Sequence, residues 1–121
     1  MGNPFCHIEL QSSDPTKAKE FYKGMFDWGM EEMPMGETTY TMIQVGEGTG
    51  GGIMKNPVPD VPSHWLAYIL VDDVAASTDK AKSLGGNVMM NKTEIPNVGW
   101  FSVIQDPTGA AFGLWQQKPK E

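Results

Sequence analysis

Two residues near the start of the chain have side chains that could do chemistry, and both lie in the stretch FCHIEL. His7 and Glu9 are two positions apart, so in a β-strand they point to the same face of the sheet. An imidazole beside a carboxylate could ligate a metal ion, or could serve as an acid–base pair because histidine titrates near neutral pH. The adjacent Cys6 would point to the opposite face, which predicts a core residue and not a nucleophile.

The composition predicts one cytoplasmic domain. The chain has 121 residues, is 40% hydrophobic and contains one cysteine, so it can form a single core and cannot form an internal disulfide. A net charge of −6 disfavours nucleic acid as a partner. No apolar run approaches the roughly 20 residues that span a bilayer, and no segment resembles a signal peptide. Nine methionines and four tryptophans indicate either a gap-filling core or an adaptable apolar pocket.

A weak internal repeat organises the chain. Residues 7–30 align with 66–89 at a shift of 59 residues, and the same shift places 49–54 on 108–113. We therefore predict a single domain, 1–121, made of a module at 1–55, a stiff proline-rich linker at 56–63 and a module at 64–121. Each module reads as a strand, a helix and three strands.

Each predicted helix begins at an aspartate and buries one stripe. Asp14 caps the first helix ahead of Pro15, and Asp73 or Asp72 caps the second. The residues expected on the buried stripes are Ala18, Phe21, Tyr22, Met25 and Phe26 in the first helix, and Val74, Ser77, Thr78, Ala81 and Leu84 in the second. Turns are predicted at PNVG and DPTG.

Three stretches together resemble one protein family. The opening HIELQSSDPTKAKEFYKGMFDW, the central YILVDDVAASTDKAKSLGG and the closing DPTGAAFGLWQ resemble the vicinal oxygen chelate superfamily, which includes glyoxalase I, extradiol dioxygenases and bleomycin-resistance proteins. The resemblance implies an α+β fold of two β-α-β-β-β modules. It also implies that their cupped mixed sheets form a cleft with the helices outside.

The resemblance also implies where a metal would be bound in metal-dependent members. Ligands come from the first and last strand of each module, and these positions here are His7, Met54, Leu66 and Gly113. Only His7 is a good ligand, so no metal or other cofactor is predicted; a divalent ion held by His7, Glu9 and His64 is the alternative. Neutral His7 is expected to hydrogen-bond to Glu9 or Tyr68 and, with Glu9, to be the candidate catalytic pair.

Apolar residues are predicted to line the cleft. Strand alternation and the family resemblance give the lining set as Met54, Leu66, Tyr68, Trp100, Gly113 and Trp115. The leading hypothesis is a homodimeric, metal-independent binder of a small apolar or planar molecule. The alternatives are an enzyme (a lyase, isomerase or dioxygenase) that uses His7 with Glu9 or a displaced metal site, and a protein-interaction module whose cleft is filled. The sequence leaves open whether the protein is an enzyme.

Overall fold

A computed structural model describes residues 2–35, 38–57, 61–95 and 98–119. Within these residues, eight strands and two helices follow one another in the predicted order. They are β1 Phe5–Ser12, α1 Pro15–Met25, β2 Gly29–Met35, β3 Thr38–Gln44, β4 Gly51–Lys55, β5 His64–Leu70, α2 Val74–Ser83, β6 Asn87–Ile95, β7 Gly99–Gln105 and β8 Ala111–Gln117. Part of the predicted linker and the PNVG turn lie outside the described residues.

The chain forms two compact units, one of which is His7–Leu66. The other consists of the chain up to Cys6 together with Ala67 onward, because the start of the chain runs beside β5. The Leu70 amide donates to the Pro4 carbonyl at 2.9 Å, and the Cys6 thiol donates to the Tyr68 carbonyl at 3.6 Å. The first residues of the chain thus belong to the same compact unit as its C-terminal half.

Each group of four strands has the same order and pairing. The strands run β2-β3-β4-β1 in one group and β5-β8-β7-β6 in the other. The pairs β1–β4 and β5–β8 are parallel, and the remaining pairs are antiparallel. A parallel pair needs a crossover, and α1 and α2 supply part of each crossover. The result is the predicted α+β architecture.

Helix α1 begins as predicted but buries a narrower stripe. The Asp14 carboxylate accepts a hydrogen bond from the Lys17 amide at 3.1 Å. Ala18 and Tyr22, which are four residues apart, pack against a core of Leu10, Ile43 and Ile53. The predicted burial of the other three stripe residues is wrong: Phe21 is 59% exposed, and Met25 and Phe26 are also exposed. A single helix on a sheet buries one line of residues four apart, and the flanking line remains in water.

Helix α2 shows the same pattern. The Asp73 carboxylate accepts from the Ala76 amide at 3.1 Å, and Val74 packs with Ile104 and Leu114. Thr78 is buried as predicted, whereas Leu84 is 69% exposed. Leu84 is exposed because it caps the helix, and the chain then turns away through a left-handed Gly85.

The 59-residue shift does not extend to the last strand of each group. It relates the two caps, Asp14 and Asp73, but the strand ladders pair Glu9 with Gly52 and Tyr68 with Gly113. Glu9 and Tyr68 are 59 residues apart, whereas Gly52 and Gly113 are 61 apart. The extra residues are accommodated by register irregularities in β6. The expected correspondence of Met54 with Gly113 is therefore wrong by two residues.

Candidate functional site

One face of the sheet in the His7–Leu66 unit carries polar and thioether side chains. The opposite face packs against α1 through Leu10, Ile43 and Ile53. Because side chains alternate along a strand and paired residues share a face, the strand registers define the other face. Its residues are His7, Glu9 and Gln11 of β1, Gly52 and Met54 of β4, Tyr40 and Met42 of β3, and Glu31 and Met33 of β2. We call this set the His7 face.

A hydrogen-bonded network lies at the centre of the His7 face. The Tyr40 hydroxyl lies 2.6 Å from His7 Nε2 and donates to Glu9 Oε1 at 3.0 Å. The Gln11 side-chain amide donates to Glu9 Oε2 at 2.8 Å. Glu9 is only 6% exposed, and a buried carboxylate requires such donors. The network thus holds one carboxylate, one phenol and one imidazole in fixed positions.

The network determines which nitrogen of His7 carries a proton. A phenol has one proton, and since Tyr40 donates it to Glu9, its oxygen accepts from His7 Nε2–H. Burial lowers the pKa of His7, and the negative charge of Glu9 opposes that shift. The net lowering is consistent with a neutral imidazole protonated on Nε2 at neutral pH.

Tyr40 was missed by the sequence analysis, which expected His7 to bond to Glu9 or Tyr68. Strand alternation in TTYTMIQ does place Tyr40 on the face opposite the core residues Thr41 and Ile43. The sequence does not show that β3 lies beside β4, which lies beside β1. Only that strand order brings Tyr40 within reach of His7.

Gly52 makes room for the Tyr40 ring. A β-carbon at Gly52 would overlap the Tyr40 hydroxyl and the adjacent ring carbons. The phenol therefore lies directly over the glycine backbone, which brings its oxygen to the Glu9 carboxylate on the next strand. Glycine at this position is needed for the close approach of a side chain and not for backbone conformation.

In the other unit the equivalent face is aromatic. Tyr68 is buried, lies over Gly113 and meets Phe101 edge-to-face with ring centroids 6.2 Å apart. Trp115 similarly lies over Gly99. Strand alternation predicted that Tyr68, Gly113 and Trp115 share one face, and the strand registers agree. The aromatic pair Tyr68–Phe101 takes the place that Glu9 and Tyr40 occupy in the His7–Leu66 unit.

Trp100 lies on the opposite face from these residues. It packs against the core beneath α2, and the ammonium groups of Lys92 and Lys118 lie 5.2 and 5.1 Å from the centroid of its indole ring. Phe101 pairs with Trp115 and shares its face, as it shares the face of Gly113. Trp100 is the residue next to Phe101 in the strand, so its side chain points to the opposite face. Its assignment to the cleft lining is therefore not supported by the strand registers.

The donor set does not fit the metal centre that the family resemblance implies. Among the described residues, no three His, Cys, Asp or Glu side chains lie close enough together to hold a metal ion. The alternative set of His7, Glu9 and His64 is therefore not assembled, and His64 Nδ1 lies 2.9 Å from the Pro62 carbonyl. Both Glu9 oxygens already accept hydrogen bonds.

Two cavities of the His7–Leu66 unit lie on its helix-covered face. One has a volume of about 260 Å³ and is almost wholly apolar; it is lined by Ile8, Trp28, Ile43, Val45, Thr49 and Trp65 with Gly50 and Gly51. The other, of about 380 Å³, lies beside α1 between Leu10 and Phe21. The predicted lining residues border neither cavity. Cys6 is half-buried, and burial raises the pKa of its thiol, which disfavours the nucleophilic thiolate.

The strand order, the two helices and the arrangement of faces define the class: an α+β protein with the glyoxalase/bleomycin-resistance fold. Residues 5–114 match the model of the Glyoxalase/Bleomycin resistance protein/Dioxygenase superfamily, and the chain belongs to this family. The predicted family and fold are thus confirmed. Among the described residues, no helix is long and apolar enough to cross a membrane.

Curated relatives are more than twice as long as this chain. A Mycobacterium tuberculosis protein named "Putative glyoxylase CFP32" is 41% identical over an alignment of 114 positions that covers 90% of this chain and 44% of that protein. The anthracycline biosynthesis protein DnrV of Streptomyces peucetius is 26% identical over an alignment of 126 positions, gaps included, that covers 91% of this chain and 46% of the relative. The chain thus spans less than half the length of these relatives.

Solved structures share the fold over nearly the whole chain. Methylmalonyl-CoA epimerase from Mycobacterium tuberculosis superposes with a TM-score of 0.71 at 15% identity, covering 95% of this chain and 88% of the epimerase. Hypothetical protein BH1468 from Bacillus halodurans superposes with a TM-score of 0.69 at 14% identity, covering 100% and 99%. At these identities the likeness establishes the fold alone.

Proposed function

We propose that the protein is a metal-independent small-molecule-binding member of its superfamily and that the His7 face anchors the ligand. The observation that carries this proposal is the Gln11–Glu9–Tyr40–His7 network. Its polar groups are held in position before a ligand arrives, so binding costs little side-chain ordering.

The surroundings of the network suit an organic ligand. Met42 and Met54 are half-buried on the same face, and thioether side chains adapt to irregular apolar shapes. Apolar walls with a few fixed polar groups are typical of small-molecule sites. In the other unit, Tyr68 and Trp115 offer a separate aromatic face. The name of one relative refers to anthracycline biosynthesis. From this name we extend the proposal of a small organic ligand to this chain.

The donor set supports metal independence, which is part of the proposal. Glu9 is occupied by Tyr40 and Gln11, and no third donor is grouped with His7 in the described ranges. A divalent ion held by so few ligands would compete poorly with its own hydration. Ligand binding should therefore persist in a chelator.

The test is a thermal-shift screen of planar organic compounds, run with and without EDTA. We expect at least one compound to raise Tm equally in both conditions, and Tyr40→Phe to weaken its binding about tenfold. Glu32→Gln is the matched control, because Glu32 lies on the helix-covered face and pairs with Lys19. Stabilisation that disappears in EDTA, or that survives Tyr40→Phe unchanged, would contradict the proposal.

An acid–base enzyme is a second candidate, favoured by one specific observation. Tyr40 connects a neutral imidazole to a buried carboxylate, and such a chain fixes the tautomer of a histidine that exchanges protons with a substrate. The test is deuterium incorporation from D2O into carbon acids identified by the screen. Incorporation that is lost in His7→Gln but retained in Glu32→Gln would support catalysis. Binding without deuterium incorporation would contradict catalysis and would leave small-molecule binding as the proposed function.

Assembly and location are also proposals. We infer a homodimer in the cytoplasm, on the basis of the family resemblance and the cysteine-poor composition. Sedimentation velocity at micromolar concentration should give a mass of twice the chain. A monomer at that concentration would contradict the dimer without affecting the ligand site.

A further inference from the structure

We infer that the His7 face selects a ligand with a positive charge, an organic cation that joins an aromatic ring to an alkylammonium group such as an arylmethylammonium, over its neutral and anionic counterparts. This inference rests on the proposed function, since it specifies the ligand class of the same face. Three properties of the face support it: its carboxylates, the location of the basic residues of this unit, and the soft groups around Glu9.

The His7 face carries two carboxylates, and its described residues include no lysine. Glu9 is buried in the network, and Glu31 lies three strands away on the same face through its pairing with Met42. The sequence contains no arginine. Recognition of phosphates and carboxylates relies on such guanidinium or ammonium groups.

The lysines of the His7–Leu66 unit lie elsewhere. Lys17, Lys19 and Lys23 belong to α1, which covers the opposite face. Lys55 pairs with Ser12 in the parallel ladder and therefore also lies on the helix-covered face. An anionic ligand on the His7 face would thus meet two carboxylates and no compensating charge from the described residues of this unit.

The hydrogen-bond donors to Glu9 in the network are neutral groups. Both of its oxygens accept hydrogen bonds from neutral donors, Tyr40 and Gln11, which is the arrangement of an ionised carboxylate. His7 adds no positive charge because burial lowers its pKa. Since Glu9 is only 6% exposed, water screens its charge poorly, and the charge acts on a ligand at the face surface.

Soft and aromatic groups surround that charge. The Tyr40 ring lies over Gly52, and an aromatic face attracts a cation. Met42 and Met54 flank the same position, and their polarizable sulfurs can contact both an apolar ring and an ammonium group. A carboxylate, an aromatic ring and thioethers on one face favour an organic cation over an inorganic one.

The experiment compares three probes that share one ring system: 2-naphthylmethylamine, 2-naphthylmethanol and 2-naphthoic acid. Affinities are measured by isothermal titration at pH 7.5, with wild-type protein, Glu9→Gln and the control Glu32→Gln. We expect the ammonium probe to bind wild-type protein about tenfold more tightly than the alcohol, and the acid to bind weakest. The advantage of the ammonium probe should shrink in Glu9→Gln and persist in Glu32→Gln.

The outcomes distinguish this inference from the proposed function. Equal affinities for the three probes, or tightest binding of the acid, would overturn the charge preference and leave small-molecule binding intact. Absence of binding by all three at millimolar concentration would overturn the preference and count against the His7 face as a ligand site. The comparison in wild-type protein needs no variant, so misfolding of Glu9→Gln would not obscure it.

Discussion

Replacing Gly52 by alanine should disrupt the His7 network without removing any of its members. A methyl group at this position would overlap the Tyr40 hydroxyl and ring. Ordinary carbon contacts require about 3.5–4 Å, so the ring must move by roughly 1 Å or more. A shift of that size breaks the 2.6 Å contact to His7 and the 3.0 Å bond to Glu9, because hydrogen bonds weaken sharply beyond about 3.2 Å.

Two terms contribute to the expected loss of stability. Inserting a methyl group into a packed site costs about 1–3 kcal/mol. Removing a donor from a buried charged acceptor costs about 1.5–3 kcal/mol, and Glu9 is such an acceptor. Partial relaxation of the ring would reduce the sum, so we expect the free energy of unfolding to fall by about 3 kcal/mol. The free energy of unfolding is measured by urea denaturation, with tryptophan fluorescence as the signal.

Two comparisons separate this reasoning from a general effect of alanine. Gly24→Ala is the matched control: Gly24 is exposed in α1, and a β-carbon added there would meet no atom within 4 Å, so the change should stabilise by up to about 1 kcal/mol. In a Tyr40→Ala background, Gly52→Ala should cost less than about 1 kcal/mol, because the clashing ring is gone. Wild-type stability of Gly52→Ala, together with an unchanged His7 Nε2 proton resonance by NMR, would refute the clash between the added methyl group and Tyr40.

Three further predictions concern single groups. The pKa of His7 is depressed in the folded protein, so the unfolded chain takes up a proton at a higher pH than the folded chain does. The free energy of unfolding should therefore fall as the pH is lowered from about 6.5 towards the folded-state pKa. Urea midpoints measured from pH 8 to 5 should show this fall, and His7→Gln should lack it. Thr78→Val should cost about 1–3 kcal/mol because it leaves the buried Ser102 hydroxyl unpaired, whereas the double variant with Ser102→Ala should be closer to wild type, and equal losses would contradict this. Asp14→Ala should lower stability by about 1 kcal/mol through loss of the N-cap, as judged by Tm, and an unchanged Tm would contradict it.

Local signals in the sequence determined the elements and the family. The aspartates before each helix and the alternation within strands each depend on residues a few positions apart. These signals gave the β-α-β-β-β order twice, and the quoted stretches were sufficient to indicate the superfamily. They also placed His7 and Glu9 on one face, because that relation needs only the period of a strand.

Errors arose where a residue's environment depended on distant segments. The stripe of α1 was predicted too wide, since sequence alone does not show that one sheet covers only the line through Ala18 and Tyr22. Met54 was matched to Gly113 because the block 49–54 was aligned with 108–113 at the same shift as the first strands, whereas the irregular β6 adds two residues before the last strand. Trp100 was expected in the cleft lining, but it precedes Phe101 by one residue in β7 and therefore points to the helix-covered face.

The sequence by itself determined which residues could do chemistry on β1, and the tertiary structure decided what they bind. Tyr40 lies 33 residues beyond His7, and only the strand order β3-β4-β1 brings them together. Gly52, on the strand between them, leaves the space in which the phenol reaches both His7 and Glu9. Strand periodicity is a local property of the chain, whereas the neighbour of a strand in a sheet is set by long-range pairing. The site is therefore only half visible in the sequence.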